Sequence, residues 1–457
     1  MRRFTADLVF HDGRLRPDIA MLVGDSGRIV SIGPAEENPE PADGGTTRFE
    51  GAILPGAVNA HSHAFQILLR GKADAARDFR DWVDSYLYPL SLTLDEAGLE
   101  LAARLAFAEM LKNGVTTVGE FFYLHNAPES EGCAGRGNRN AEIVIGAARS
   151  VGIRIHLLRC LYDGAEKPGQ RRFFEPADSA IAATRDLAAT FESVAHVTVG
   201  IAPHSLHGAT PEGIQAAAAY AAECGTPFQI HLAEEEHDLE YAQSRYGTTP
   251  GRALEQLGVV SERLCVVHGV WLDADEIAAL GTAEAKCAYN PVSNMALGDG
   301  VTDIPAMVAA GMIVALGCDG PGANHQVNIW QEMRFVEWLQ RVTLRRMNVV
   351  ALSDRASTAN YCFEMGTVNG GTALGLPVGS LEAEQWADFV VIDTADLSLL
   401  PHHGADPDAL LHNIVNAMAA RGAVTDVYVG GREVVGDRRL TRVDERELAR
   451  AAAEWQC

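Results

Sequence analysis

Between about residues 55 and 380, short apolar runs alternate with alanine- and leucine-rich helical stretches, and several of the apolar runs close on a histidine or an aspartate. Eight runs read as strands, at residues 57–60, 116–122, 153–161, 197–202, 227–231, 264–268, 286–290 and 313–318. The helical stretches between them include 94–113, 141–151, 177–191, 211–224, 250–257 and 303–310, and two more, 327–349 and 357–372, follow the last strand. Strands alternating with helices predict an α/β fold with a parallel sheet. A doubly wound sheet accommodates that alternation. A (β/α)8 TIM-type barrel is the favoured reading, because polar candidates recur at the ends of the strands, where barrel active sites sit.

The two ends of the chain have a different character. Residues 1–54 hold short strand-like runs separated by turn residues such as His11-Asp12-Gly13. That is too little chain for an independent core. Residues 381–457 have the same character, as in Ala387-Asp-Phe-Val-Val-Ile-Asp393 and the run from Val424 to Val435. One small β-sandwich assembled from 1–54 and 381–457, flanking a barrel of 55–380, is the economical arrangement.

Charge and cysteine usage exclude some classes. The formal net charge of −24 argues against nucleic acid or an anionic membrane as partner. The 8 cysteines include no CxxC pair, and several sit in apolar runs, so they read as thiols in a reducing compartment. The N-terminus has no apolar signal core and no run is long enough to span a bilayer. The expectation is a cytoplasmic enzyme acting on a small molecule.

The strand ends carry the chemistry. His61 and His63 lie two residues apart, so in a strand they project from one face. A half-buried pair that binds nothing is the plain alternative. The fifth strand ends in Gln229-Ile-His231-Leu-Ala-Glu234, the sixth in His268, the eighth in Asp319. Any one of these could be a hydrogen-bonded rim residue; four strands together are hard to ascribe to chance. His61, His63 and His231 offer imidazole nitrogens and Asp319 a carboxylate oxygen to one divalent metal, with an open position for water. Such a metal lowers the pKa of water toward ~7. Asp319 is placed to take that proton and Glu234 to carry one to a leaving nitrogen. His268 either polarises the substrate or serves as a further ligand. No lysine lies between Lys167 and Lys286 to furnish a bridging anion from strands 4 to 6, so one metal is expected, zinc first and iron second.

With these residues in order, the chain resembles the amidohydrolase superfamily, in its aminohydrolase and deaminase subgroup. The resemblance runs through Pro55-Gly-Ala-Val-Asn-Ala-His61-Ser-His63-Ala-Phe-Gln66, the stretch from Met110 to Val118, Asn290-Pro-Val-Ser-Asn294, Gly379-Ser-Leu-Glu382 and Ala387-Asp388-Phe389. It implies hydrolytic release of ammonia from an amidine-like carbon, and a homodimer. His61-Ser-His-Ala-Phe-Gln66, Glu120-Phe-Phe-Tyr123-Leu-His125, Gly169-Gln-Arg-Arg172 and Pro203-His204 resemble more specifically the formimidoylglutamate deiminases. By that resemblance Gln66 and Tyr123 line the formimino pocket and His204 belongs to the site. That family carries an arginine three residues past this histidine, to clamp a substrate carboxylate; here the position is His207. Imidazole does not replace a bidentate guanidinium. The expected substrate is formimidoyl-glutamate-like if Arg171 or Arg172, otherwise a solvated basic pair on a loop, supplies the anion contact; without it, the expectation is a shorter acid, a neutral amidine or an aminated heterocycle such as a purine, pterin, pyrimidine or triazine. A chain that binds without turnover is the rival from another class.

Other features have plainer readings. Glu235, Glu236 and Asp238 read as a solvated helix start. Trp82, Tyr86 and Tyr88 read as packing residues or a cap on the pocket. Asn324, His325 and Gln326 read as substrate contacts or as helix caps.

Overall fold

The alternation of strand and helix closes into a barrel, as a computed structural model describing residues 1–42, 44–165, 167–350, 358–402, 408–417 and 422–455 shows. Its eight parallel strands are, in order, Ala57–Ser62, Val115–Phe122, Arg154–Leu161, Val197–Pro203, Phe228–Leu232, Leu264–His268, Lys286–Tyr289 and Ile313–Leu316, called barrel strands 1 to 8 below. Strands 1–4 and 5–8 each form a four-stranded sheet. Two isolated parallel bridges, Ser62 with Asp319 and Ser205 with His231, join the sheets along both seams. Strands 2 and 3 are buried at every residue, which is why they read as continuous apolar runs rather than alternating ones.

Helix boundaries follow local chemistry. The helix Pro211–Cys224 starts at Thr210, whose hydroxyl accepts from the Gly213 amide, and stops at Gly225 in the left-handed region. Glu96–Lys112 starts at Asp95, which accepts from Gly98. The helix expected over 327–349 is shorter, Ile329–Leu344, because Arg345 turns left-handed at φ 55°. The stretch expected at 357–372 is two helices, Thr358–Met365 and Val368–Leu374, since Gly366 packs directly on Met333 and Thr367 leaves helical geometry. Ser357 lies outside the described residues, as does Cys457; the other seven cysteines are free thiols. Among the described residues no helix is long and apolar enough to cross a membrane.

The two termini meet in one continuous nine-stranded sheet. Phe389–Ile392 pairs antiparallel with the C-terminal half of Thr46–Pro55, Phe389 opposite Pro55. The hairpin Val424–Val429 to Arg432–Gly436 turns at Gly430 and Gly431, both with positive φ. Phe4, Met21, Ile53, Phe389 and Tyr428 form the core of this small domain. The Phe389 and Tyr428 rings stack at 4.5 Å.

A buried ion pair ties the sheet to the barrel. Arg154, at the start of strand 3, donates from Nε and Nη2 to Asp388 at 2.7 and 3.0 Å, and Asp388 also accepts from the Gly430 amide. Removing one partner leaves an uncompensated buried charge. Asp388→Ala is expected to lower unfolding stability by roughly 3–5 kcal/mol, and Arg154→Met added to it to recover much of the loss. Urea titration of the two variants checks this; equal loss in both would assign the cost to packing instead.

Candidate active site

Four strand ends converge on one point. His61 and His63 come from the end of strand 1, His231 from strand 5, His268 from strand 6, and Asp319 follows strand 8. The Nε2 atoms of His61 and His63 lie 3.2 Å apart, those of His63 and His231 3.4 Å, and those of His231 and His61 3.2 Å. Asp319 Oδ1 is 3.4 Å from His63 Nε2 and 3.7 Å from His61 Nε2. His268 and Asp319 sit at positive φ, 70° and 54°, conformations that non-glycine residues hold only where surrounding structure imposes them. Glycine makes the Asp319 turn fit: a Cβ on Gly317 would collide with Asn290 and His61, and one on Gly320 with Gln66.

The hydrogen bonds decide which ring nitrogen is bare. Gln229 donates its amide to the Ala60 carbonyl, so its Oε1 accepts from His61 Nδ1 at 3.0 Å. His63 Nδ1 donates to the Phe121 carbonyl at 2.8 Å and His231 Nδ1 to the His204 carbonyl at 2.9 Å. Each of the three rings thus carries its proton on Nδ1 and turns a lone pair on Nε2 toward the other two. Burial first, and neighbouring histidines second, hold His61 and His231 well below the ordinary range. Burial also lowers His63, against the pull of Asp319. Burial works to raise Asp319, yet it lies below the ordinary carboxylate value, with a hydrogen bond from the Ser293 hydroxyl helping to hold it there.

Three neutral nitrogens with facing lone pairs beside a carboxylate form a donor set without an internal proton to share. Tetrahedral ligation at ~2.1 Å places nitrogens ~3.4 Å apart, close to the separations here. The residues therefore fit a divalent metal, with His61, His63, His231 and Asp319 as the donors.

Beside this cluster Glu234 faces His268, with Oε1 3.3 Å from Nε2. Burial, then Asp299 and Asp319, push Glu234 well above the carboxylate range. A cavity of about 400 Å³ opens outward from these groups. Gln66 and Tyr123 line it, joined by a 2.9 Å hydrogen bond, and so do His204 and His207. Phe79, Trp82, Tyr88, Tyr162 and Phe173 form much of its wall. Trp82 and Tyr88 thus cap the pocket, whereas Tyr86 packs against the core outside it.

Three expectations need correction. Arg172 does not reach the cavity: its guanidinium is buried and donates to the Ser91 and Leu94 carbonyls at 2.8 and 2.7 Å, satisfying the open C-terminus of the helix Tyr88–Thr93. Arg171 is exposed on Glu129. Glu235, Glu236 and Asp238 do start a helix, Glu236–Tyr246, but only Glu236 is solvated. Glu235 and Asp238 line the cavity, and half-buried Asp238 accepts from the Glu234 amide while pairing with His207 at 3.4 Å. Asn324, His325 and Gln326 lie off the cavity lining; Asn324 braces the Asp319 turn through the Cys318 carbonyl, and His325 pairs with Asp74.

Gln229, Ser293, Asn294, Tyr162 and Gln170 also belong to this neighbourhood, without a role assigned from sequence. Gln229 was within reach of that reading, since it shares a strand face with His231. Gln170, hydrogen-bonded to Tyr162 at 2.9 Å, is brought in by a loop and leaves no such signal.

The family is that of the amidohydrolases: the amidohydrolase family model matches residues 52–434, and the chain belongs to it. Within the family it is an enzyme acting on C–N bonds, related to hydrolytic deaminases and deiminases. It is 32% identical over 426 residues to the formimidoylglutamate deiminase of Pseudomonas aeruginosa, covering 91% of each chain. It is 28% identical over 410 residues to the 5-methylthioadenosine/S-adenosylhomocysteine deaminase of Pyrococcus abyssi, covering 90% of this chain and 88% of that one. Its fold matches a zinc-bound adenosine deaminase from Xanthomonas campestris with a TM-score of 0.85 at 24% identity, over 99% of this chain and 97% of that one.

The Asp319 turn is braced from behind by Glu332, which accepts from the Val292 amide at 3.0 Å and from Asn324 at 2.8 Å. Burial pushes Glu332 up to about 8 from 4.5. Between those values the folded protein holds a proton that the unfolded chain has released, so stability falls as pH rises through the window. Glu332→Gln is expected to cost roughly 1–3 kcal/mol at pH 5.5 through a lost acceptor, and to flatten the fall in Tm between pH 5.5 and 8. Calorimetry across that range checks both signs.

Proposed function

We propose that this chain is a metal-dependent hydrolytic deaminase of a small substrate bearing an amidine-type carbon. The observation that carries the reading is the set of three neutral Nε2 atoms and one carboxylate at the floor of the cavity, with Glu234 and His268 beside it. His61, His63, His231 and Asp319 would hold one divalent ion, zinc first and iron second. That ion supplies a Lewis acid and acidifies water. Asp319 accepts a proton from the attacking water. His268 donates a hydrogen bond from Nε2 to the oxygen that attacks the trigonal carbon. Glu234, whose setting favours its protonated form, delivers a proton to the departing nitrogen. Water adds to carbon, the C–N bond breaks and ammonia leaves. Gln66, Tyr123 and His204 line the side on which the amidine sits.

The cavity favours a neutral aminated ring over a dicarboxylate. Its walls are aromatic, and the carboxyls of Glu234, Glu235, Asp238 and Asp319 face inward. Among the described residues the lining cations other than histidine are Arg80 and Lys167, engaged with His237 and Asp84. A formimidoyl-glutamate-like acid is the second reading, supported by the 32% identity to a formimidoylglutamate deiminase and by those two cations.

Ammonia release from metal-loaded protein, with N-formimino-L-glutamate set against aminated purines, pyrimidines, pterins and triazines, separates the two; no turnover of any of them would sink the reading. Glu234→Gln is expected to lose at least ~100-fold in kcat with metal content unchanged. Asp319→Asn is expected to abolish turnover. Gln229→Leu, which frees His61 to take the wrong tautomer, is expected to weaken metal binding ~10–100-fold, read by competition with a chromogenic chelator.

A further inference from the structure

The stretch Asn290-Pro-Val-Ser-Asn294 is buried behind the site, as is Asp299 beyond it, and none of these residues lines the cavity. Asn294 spends both amide protons inside the protein. Its Nδ2 lies 2.9 Å from His268 Nδ1 and 2.8 Å from Asp299 Oδ2. Asn290 Nδ2 stands 3.5 Å from the same ring nitrogen. His268 Nδ1 therefore faces amide donors, while Nδ1 of His61, His63 and His231 each faces a carbonyl oxygen. Opposite partners at Nδ1 select opposite tautomers.

We propose that Asn294, oriented by Asp299, is the positioning residue that keeps the His268 proton on Nε2, and so makes this ring a donor toward the reacting centre rather than a fourth imidazole ligand. Asp299 selects the amide orientation, because an amide oxygen turned toward Oδ2 would set two acceptors 2.8 Å apart. The backbone holds the ring in place: the Thr302 hydroxyl donates to the His268 carbonyl at 3.0 Å, and the positive φ of His268 turns Nε2 to Glu234.

This inference rests on the deaminase reading for its consequence, but its first test needs no turnover. Protein labelled with ¹⁵N at histidine reports the protonated ring nitrogen directly, and His268→Gln identifies the His268 signals by their loss. The wild type is expected to carry the His268 proton on Nε2. Asn294→Asp, nearly isosteric, puts an acceptor at Nδ1; it is expected to move the proton there and to lower kcat about 100-fold, with KM and metal content changed by less than about twofold. Asp299→Asn is expected to give a mixture of tautomers and a smaller loss in kcat, which keeps the test alive if Asn294→Asp does not fold. A wild-type proton on Nδ1, or variants that lose activity with the tautomer unchanged, would overturn the proposal. A protein with the expected tautomer and no deaminase activity would leave this inference standing and count against the function proposed above.

Discussion

The two seams of the barrel are closed by the site itself. Strands 1–4 and 5–8 form separate sheets, and what stitches them are backbone bonds from Asp319 to the His61 carbonyl and from His231 to the His204 carbonyl, both 3.0 Å. A strand that pairs through its last residue must hold that residue's Cα and Cβ in a fixed place. The positions that close the barrel are thus the ones whose side chains converge. Rigid placement of imidazole and carboxylate groups is what a preorganised site requires. Loss of either seam would loosen the fold and the donor set together.

Convergence alone would leave several titratable rings in one buried space, where charge is costly. The protein resolves this by making the rings neutral and by assigning each Nδ1 a partner. Three partners are carbonyl oxygens, from Gln229, Phe121 and His204. The fourth ring, His268, meets amide donors instead. One residue type thereby serves as lone-pair donor three times and as hydrogen-bond donor once. The carboxyls divide in the same way. Asp319 stays ionised among histidines and Ser293, whereas Glu234, crowded by other acids, favours its proton.

The loops above the barrel set what can enter. Arg80, just after strand 1, reaches His237 beyond strand 5, and Lys167 beyond strand 3 returns to Asp84. These contacts draw aromatic side chains over the cavity and occupy the cations at its mouth. Asp238 turns its carboxylate on His207, so that wall is acidic rather than anion-binding.

Much of this was legible in one dimension. Periodicity and the apolar-run lengths marked eight barrel strands to within two residues at either end, because parallel strands buried on both faces must be apolar throughout. His61, His63, His231, Glu234, His268 and Asp319 stood out because a run of that kind has few reasons to end on an ionisable group. Two kinds of feature did not read out. Arg172 looked like a free cation, but long-range packing buries it against two helix-end carbonyls. Asp238 looked solvated, but the fold turns it inward against His207 and the Glu234 amide. The sequence by itself determined which elements form and which residues stand at strand ends, since both follow from local pattern. Only the tertiary structure decided which ring nitrogens are bare, which acids keep their protons and which cations face the cavity, because those properties belong to neighbours distant in the chain.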